Sequence, residues 1–256
     1  MKKLKITLMV LFIFLFAGTG NAAPDTEEQQ GTRFYVTPFA WFVGMNGTIG
    51  ARGRTTEVDF SFSDVRDYVD FAGMLAFEIV FNNTNGILAD INLIELGKQR
   101  PIGGVTLEGN TQILLSDIAA FHRFHSAPFG EKKTSVMNLD FVAGVRIWDI
   151  DVGLYLDTPL MGSHSISKNR SWVDPFAGLR AQFLMNERLR FTLQGGVGTS
   201  SAWDASAHIA WRMWRNSSLL LGYRALGVDR REGEGNEQFV FDTTIQGPML
   251  GLTFEF

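Results

Sequence analysis

From about Phe34 to Phe256, apolar and polar residues alternate with a period of two in one segment after another. Such alternation puts successive side chains on opposite faces of an extended strand. The last segment is the cleanest. Pro248, Leu250, Leu252, Phe254 and Phe256 share one face; Gly247, Met249, Gly251, Thr253 and Glu255 share the other. Upstream, residues 219–226 set Leu219, Leu221, Tyr223 and Ala225 against Gly222 and Arg224. Residues 203–214 set Trp203, Ile209 and Trp211 against a series running from Asp204 through His208 and Arg212 to Trp214. The pattern recurs in 189–197 (Arg190 on the polar face), 173–183 (Asp174, Arg180) and 139–148 (Asp140, Arg146). It holds in 87–93 (Asp90), 75–81 (Glu78) and 34–42. Residues 112–124 are ambiguous, because Leu114-Leu115 and Ala119-Ala120 break the alternation.

The connections alternate too. Turn-forming sequences at 83–86, 185–187 and 215–217 are short, whereas 44–70, 97–106, 149–171 and 228–238 are long and mostly polar. Strands of about 9–11 residues, joined by short turns on one side and long loops on the other, suit a membrane-spanning barrel. The expected fold is therefore all-β: a transmembrane, antiparallel, up-and-down β-barrel over residues 33–256. About ten strands are expected. Eight or twelve stay open, since 55–60 and 151–156 could add strands. In the first long loop, Phe62, Val65 and Val69 lie at near-helical spacing, which predicts a short helix over 61–70.

The N-terminus has another character. Lys2, Lys3 and Lys5 precede an apolar run from Ile6 to Ala17, then the small residues Gly18 to Ala23. This is the three-part layout of a secretory signal, with cleavage expected after Ala22. Residues 23–32 read as a flexible periplasmic segment, giving the division 1–22, 23–32 and 33–256.

Composition narrows the class. The hydrophobic fraction is 45%, the chain has 27 Gly and 22 Phe, and only the N-terminal segment approaches the length of an apolar membrane helix. There is no Cys, so no disulfide framework and no thiolate nucleophile or metal ligand. Net charge is −4, and the signal holds only basic charges, so the remainder is more acidic still. That balance excludes a nucleic-acid partner by bulk charge.

Trp172-Val173-Asp174-Pro175-Phe176-Ala177-Gly178-Leu179-Arg180 resembles the W-x-D-P-x-x-G-x-R strand of a group of Gram-negative outer-membrane barrels, small OmpW- or OmpA-barrel-like proteins without an established activity. Gly195–Gly198, Leu221–Arg224 and Gly247–Leu252 are similar to that group as well. The resemblance covers most of 33–256 and is strongest from Asp140 onward. It implies the fold and an outer-membrane location, and transfers no activity or catalytic residue. The ending on Phe254 and Phe256 looks like the signal that barrel-assembly machinery reads. Expected partners are thus outer-membrane lipid and lipopolysaccharide, periplasmic chaperones and the assembly machinery. No cofactor or metal is expected.

The candidate chemistry lies on the inward face: Glu78, Asp90, Asp140, Asp174 and Asp204 against Arg146, Arg180, Arg190, Arg212 and Arg224, with His208 among them. Buried charge is costly unless paired. These residues therefore either knit a closed lumen or line a polar path. A barrel of about ten strands lies between those filled by side chains and wide porins. The expectation is a closed or narrow, non-enzymatic barrel with a structural or accessory envelope role. The alternative is a narrow channel for small solutes or hydrophobic molecules. A lipid-modifying enzyme ranks third: Asp204, Ser206 and His208 share a strand face, but residues two apart project in parallel rather than converge. Trp41, Trp148, Trp172, Trp203, Trp211, Trp214 and Tyr223 read as interface anchors near strand ends. The acidic loop 229–237 could hold a surface cation, though a solvated outer loop is the better reading.

Overall fold

A computed structural model describes residues 31–256 apart from 52–53, 62–68, 103–104, 131–133, 159–161, 186–187 and 200. The expected signal peptide and most of 23–32 lie outside the described residues. Twelve strands form: β1 (Arg33–Trp41), β2 (Gly44–Ala51), β3 (Arg54–Phe60), β4 (Val69–Phe81), β5 (Asn85–Ile102), β6 (Val105–Phe129), β7 (Ser135–Thr158), β8 (Gly162–Met185), β9 (Leu189–Gly198), β10 (Trp203–Trp214), β11 (Ser217–Glu232) and β12 (Phe239–Glu255).

Ten of them close a barrel. The order is β1-β4-β5-β6-β7-β8-β9-β10-β11-β12, every neighbour antiparallel, and β12 pairs back onto β1. Closure removes strand edges, so each backbone group in the hydrocarbon region finds a partner within the sheet. The last residue takes part: Phe256 N–H donates to Phe34 O at 2.9 Å, and Phe34 N–H to Phe256 O at 3.2 Å. The other two strands form a hairpin on the far end. β1 pairs β12 from Tyr35↔Glu255 to Trp41↔Met249, and β2 continues along the same partner from Gln246↔Gly44 to Phe239↔Ala51. β2 thus prolongs β1 past a break at Phe42–Val43, and β3 folds back on it.

The outside is apolar. Every one of the ten barrel strands contributes at least one exposed large hydrophobic residue, from Phe34 on β1 to Leu250, Leu252 and Phe254 on β12. No water-soluble protein exposes apolar side chains around its whole girth. A closed barrel with this belt is the architecture of bacterial outer-membrane proteins. The chain is an integral outer-membrane β-barrel.

Orientation follows from the turns. At one end, Phe81–Thr84 is a tight turn with Asn82 and Asn83 at φ 50° and 57° and Thr84 N–H donating to Phe81 O at 3.1 Å. Two left-handed central residues match the twist of a hairpin, and asparagine tolerates them. Short turns mark the periplasmic end.

At the other end the strands outrun the membrane. β6, β7 and β8 hold 25, 24 and 24 residues, about twice what a span needs. The segments 97–106 and 149–171, expected as loops, are therefore largely strand. Beyond the bilayer both faces of a strand can meet water, so the lipid–lumen alternation fades while the ladder continues. Residues 55–60 form β3, outside the closed ten; 151–156 are part of β7. The helix expected over 61–70 falls mostly outside the described residues, but its last two positions, Val69 and Asp70, are extended and open β4.

Candidate functional site: the barrel lumen

Inward-facing residues stack into three levels. The highest is apolar. Trp148 on β7 and Trp172 on β8 are cross-strand partners stacked at 5.4 Å and 13°. Phe241 on β12 meets both edge-on, at 5.9 Å and 6.1 Å, and Phe239 lies against Trp172 at 6.1 Å. β7 and β12 stand five places apart in a ring of ten, on opposite walls. Their rings therefore meet across the full width of the lumen. Trp41, Met74, Leu115, Leu226 and Ile245 complete the block, and both Trp148 and Leu226 have 0% exposure.

This overturns one expectation. Trp41, Trp148 and Trp172 are not interface anchors; they fill the lumen. Position near a strand end does not separate the two roles, because that depends on which face the residue occupies. Trp203 and Trp211 do lie outside. Trp203 covers Gly227 on β11, where an added Cβ would come within 2.1 Å of the indole nitrogen. Trp214, expected inward, is 66% exposed, because the β10–β11 register shifts between Arg212 and Trp214.

Below the aromatic block lies an ion cluster. Arg146 donates from Nε and Nη2 to Asp117 at 2.7 and 2.6 Å, and from Nη2 to Asp204 at 3.1 Å. Arg224 donates to Asp204 at 2.9 Å, to Asp117 at 3.0 Å and to Asp90 at 3.4 Å. β6 and β11 are again opposite walls, so the Arg224–Asp117 contact also crosses the barrel. Asp90 and Asp117 are direct cross-strand partners, a repulsive placement unless cations sit between them. A second group adjoins it. Arg180 bridges Glu78 at 2.9 Å and Asp140 at 2.8 Å, and Arg123 binds Asp140 at 2.8 Å and Gln182 at 3.0 Å. Asp140 is fully buried and depends on both guanidinium groups.

The lowest level is a cavity of about 370 Å³ facing the periplasmic turns. Its roof is the ion cluster. Tyr35, Thr192, His208, Arg190 and Glu255 line it, and Arg188 and Asn216 stand at its mouth. Tyr35 O–H donates to Glu255 at 3.3 Å, and Thr37 and Thr253 share a hydrogen bond of 2.9 Å across the β1–β12 closure.

The inward residues anticipated from sequence therefore divide. Asp90, Arg146, Asp204 and Arg224 meet in the mid-lumen, and Glu78, Asp140 and Arg180 beside them. Arg190, His208 and Arg212 belong to the cavity instead. Arg190 lies over the Tyr35 ring at 5.2 Å, and Arg212 reaches Glu255 at 3.4 Å with its side chain 42% exposed. Asp174 lies apart, near the extracellular end, accepting from Trp172 Nε1 at 2.9 Å and Thr199 Oγ1 at 3.0 Å, with Arg230 at 3.7 Å. Asp204, Ser206 and His208 form no catalytic arrangement: Asp204 is held by two arginines, and no hydrogen bond joins His208 to either neighbour.

Sequence reading missed Asp117 and Arg123. Both lie in 112–124, whose inward side (Ile113, Leu115, Asp117, Ala119, Phe121, Arg123) is about as apolar as its outward side. The available signal was pairing: with Asp90 and Arg146 inward, their register partner Asp117 must be inward too.

The acidic outer loop is internally paired. Arg231 donates to Asp229 at 2.9 Å and Asp242 at 2.7 Å, and Arg230 pairs with Glu232. The hydrogen bond to Asp229, ahead of the contribution from Asp242, raises the Arg231 pKa above its ordinary value. No group of three or more metal-ligating side chains occurs among the described residues.

No family model and no curated protein matches the chain. Solved structures similar to it are barrels. The outer membrane protease OmpT from Escherichia coli is 8% identical, over 91% of this chain and 99% of that one, with a TM-score of 0.49. The translocator domain of the autotransporter NalP from Neisseria meningitidis is 11% identical over 100% and 95%, at 0.42. The attachment invasion locus protein Ail of Yersinia pestis, in complex with a heparin analogue, is 11% identical over 88% and 99%, at 0.39.

Proposed function

We propose that this protein is a closed, non-conducting outer-membrane barrel with a structural or accessory role in the envelope and no catalysis. One observation carries the reading: side chains from opposite walls meet across the lumen at two successive levels. Trp148 meets Phe241 at 5.9 Å, and beneath them Arg224 meets Asp117 at 3.0 Å. A water path would have to break both levels. The upper would expose a buried aromatic block; the lower would strip carboxylates from guanidinium groups.

A narrow channel for small solutes is the second reading, and the periplasmic cavity favours it. That cavity ends beneath the ion cluster, so the channel reading requires the roof to move. Kinship with the barrels that carry W-x-D-P-x-x-G-x-R belongs to the same proposal. So do its expected partners: outer-membrane lipid and lipopolysaccharide on the apolar belt, and periplasmic chaperones and assembly machinery acting on the Phe254–Phe256 end.

Proteoliposome swelling in isosmotic solutions of small sugars tests the reading. Vesicles containing the folded protein should swell no faster than empty ones. Swelling at rates typical of porins would sink it.

A further inference from the structure

The periplasm-facing cavity holds an arginine with no carboxylate at salt-bridge distance and, beside it, a hydroxyl without a hydrogen-bond partner. Arg146, Arg180 and Arg224 each bind at least two carboxylates. Arg190, on the cavity wall, has no carboxylate within salt-bridge distance among the described residues; its guanidinium lies over the Tyr35 ring, touches the Tyr35 hydroxyl, and feels the charge of Glu78 at longer range. Next on the same face of β9, Thr192 is 2% exposed, and its Oγ1 has no hydrogen-bond partner. A buried hydroxyl left unpaired is unfavourable, and a bound acceptor removes that penalty. At the mouth, Arg188 and Arg212 face the single carboxylate of Glu255. Arg188, Arg190 and Arg212 outnumber Glu255 there, whereas around the cavity as a whole the five arginines meet five carboxylates, most of them in the roof.

We infer that this cavity binds a small anion from the periplasm, a molecule bearing a carboxylate or phosphate group. Arg190 supplies the planar fork of N–H donors that such oxygens fit, and Thr192 the second donor. Arg188 and Arg212 make the potential at the mouth positive, which draws anions to the entrance. At about 370 Å³, the cavity lies at the small end of ligand pockets, which limits the ligand to a small molecule. The site does not depend on whether the lumen above it is closed, because its residues lie below the ion cluster in either case.

Calorimetric titration tests this on the full folded barrel in an uncharged maltoside detergent, at fixed ionic strength. The probes are inorganic phosphate and succinate. Saturable one-to-one binding of at least one probe is expected. Arg190→Gln should weaken it about tenfold or more, the loss of a charged hydrogen-bonding partner, and Thr192→Val several-fold. Arg231→Gln, on the extracellular rim, should leave it unchanged. Heat-dependent gel mobility verifies that each variant is folded. If Arg190→Gln does not fold, Thr192→Val carries the comparison. Absence of binding at millimolar concentrations of both probes would overturn the inference. So would equal affinity in the wild type and the folded cavity variants.

Discussion

At the residue scale, the lumen repeats one device: a guanidinium laid on an aromatic ring and held by acids at its edge. Arg180 lies over Phe121 at 4.3 Å, Arg224 over Trp41 at 5.3 Å and Arg146 over Phe176 at 5.4 Å. Only arginine offers a flat face and a fork of donors together, which explains why no lysine serves in these positions. Within the Arg146–Arg224 cluster Asp117 accepts three hydrogen bonds, two from Arg146 and one from Arg224, against two for Asp204. Replacing Asp117 with asparagine takes away the bidentate carboxylate of Arg146 and leaves Arg146 and Arg224 to share Asp204, with Asp90 at 3.4 Å from Arg224. Asp117→Asn should lower stability by about 3–5 kcal/mol, the usual cost of breaking a buried ion pair from one side. Urea unfolding in lipid vesicles measures it; a change within error would mean that water already screens the cluster. Most of this level was legible in sequence, because charged residues on one strand face stand out against an apolar partner face. Asp117 did not, since both faces of its strand are apolar around it.

Among elements, β12 does the most. It closes the barrel on β1, carries β2 above the break at Phe42–Val43, and supplies Phe239 and Phe241 to the aromatic block. Its alternation from Gly247 on was also the plainest in the chain, because that half faces lipid on one side. Deleting Phe256 removes two backbone hydrogen bonds of the closure and the terminal aromatic. The folded fraction after refolding should fall and assembly should slow, read from heat-dependent gel mobility over time. Unchanged kinetics would show that closure does not rely on the last residue. The extracellular halves of β5 to β8 were not legible, because a strand that runs past the bilayer need not keep a lipid face and so has no binary pattern to read. The inward tryptophans were misread for a related reason. An aromatic near a strand end suits the interface or the lumen equally, and only the register of neighbouring strands separates these. Trp148→Ala should cost about 3–5 kcal/mol, as for other large buried aromatics. Loss of well under 1 kcal/mol in the same unfolding assay would place Trp148 in a wet, loosely packed lumen.

For the whole molecule, ten strands make a lumen narrow enough for side chains on opposite walls to touch, but too wide for one layer of side chains to fill throughout. The chain resolves this by level: aromatics above, an ion cluster between, and an unfilled cavity at the periplasmic end. On the proposed reading the barrel is thus closed from the outside and open as a blind pocket from within. Planar-bilayer conductance tests that central claim most directly. Folded wild-type protein inserted at single-molecule density should give no steady, discrete openings across the physiological voltage range. Reproducible stepwise openings would contradict a closed lumen.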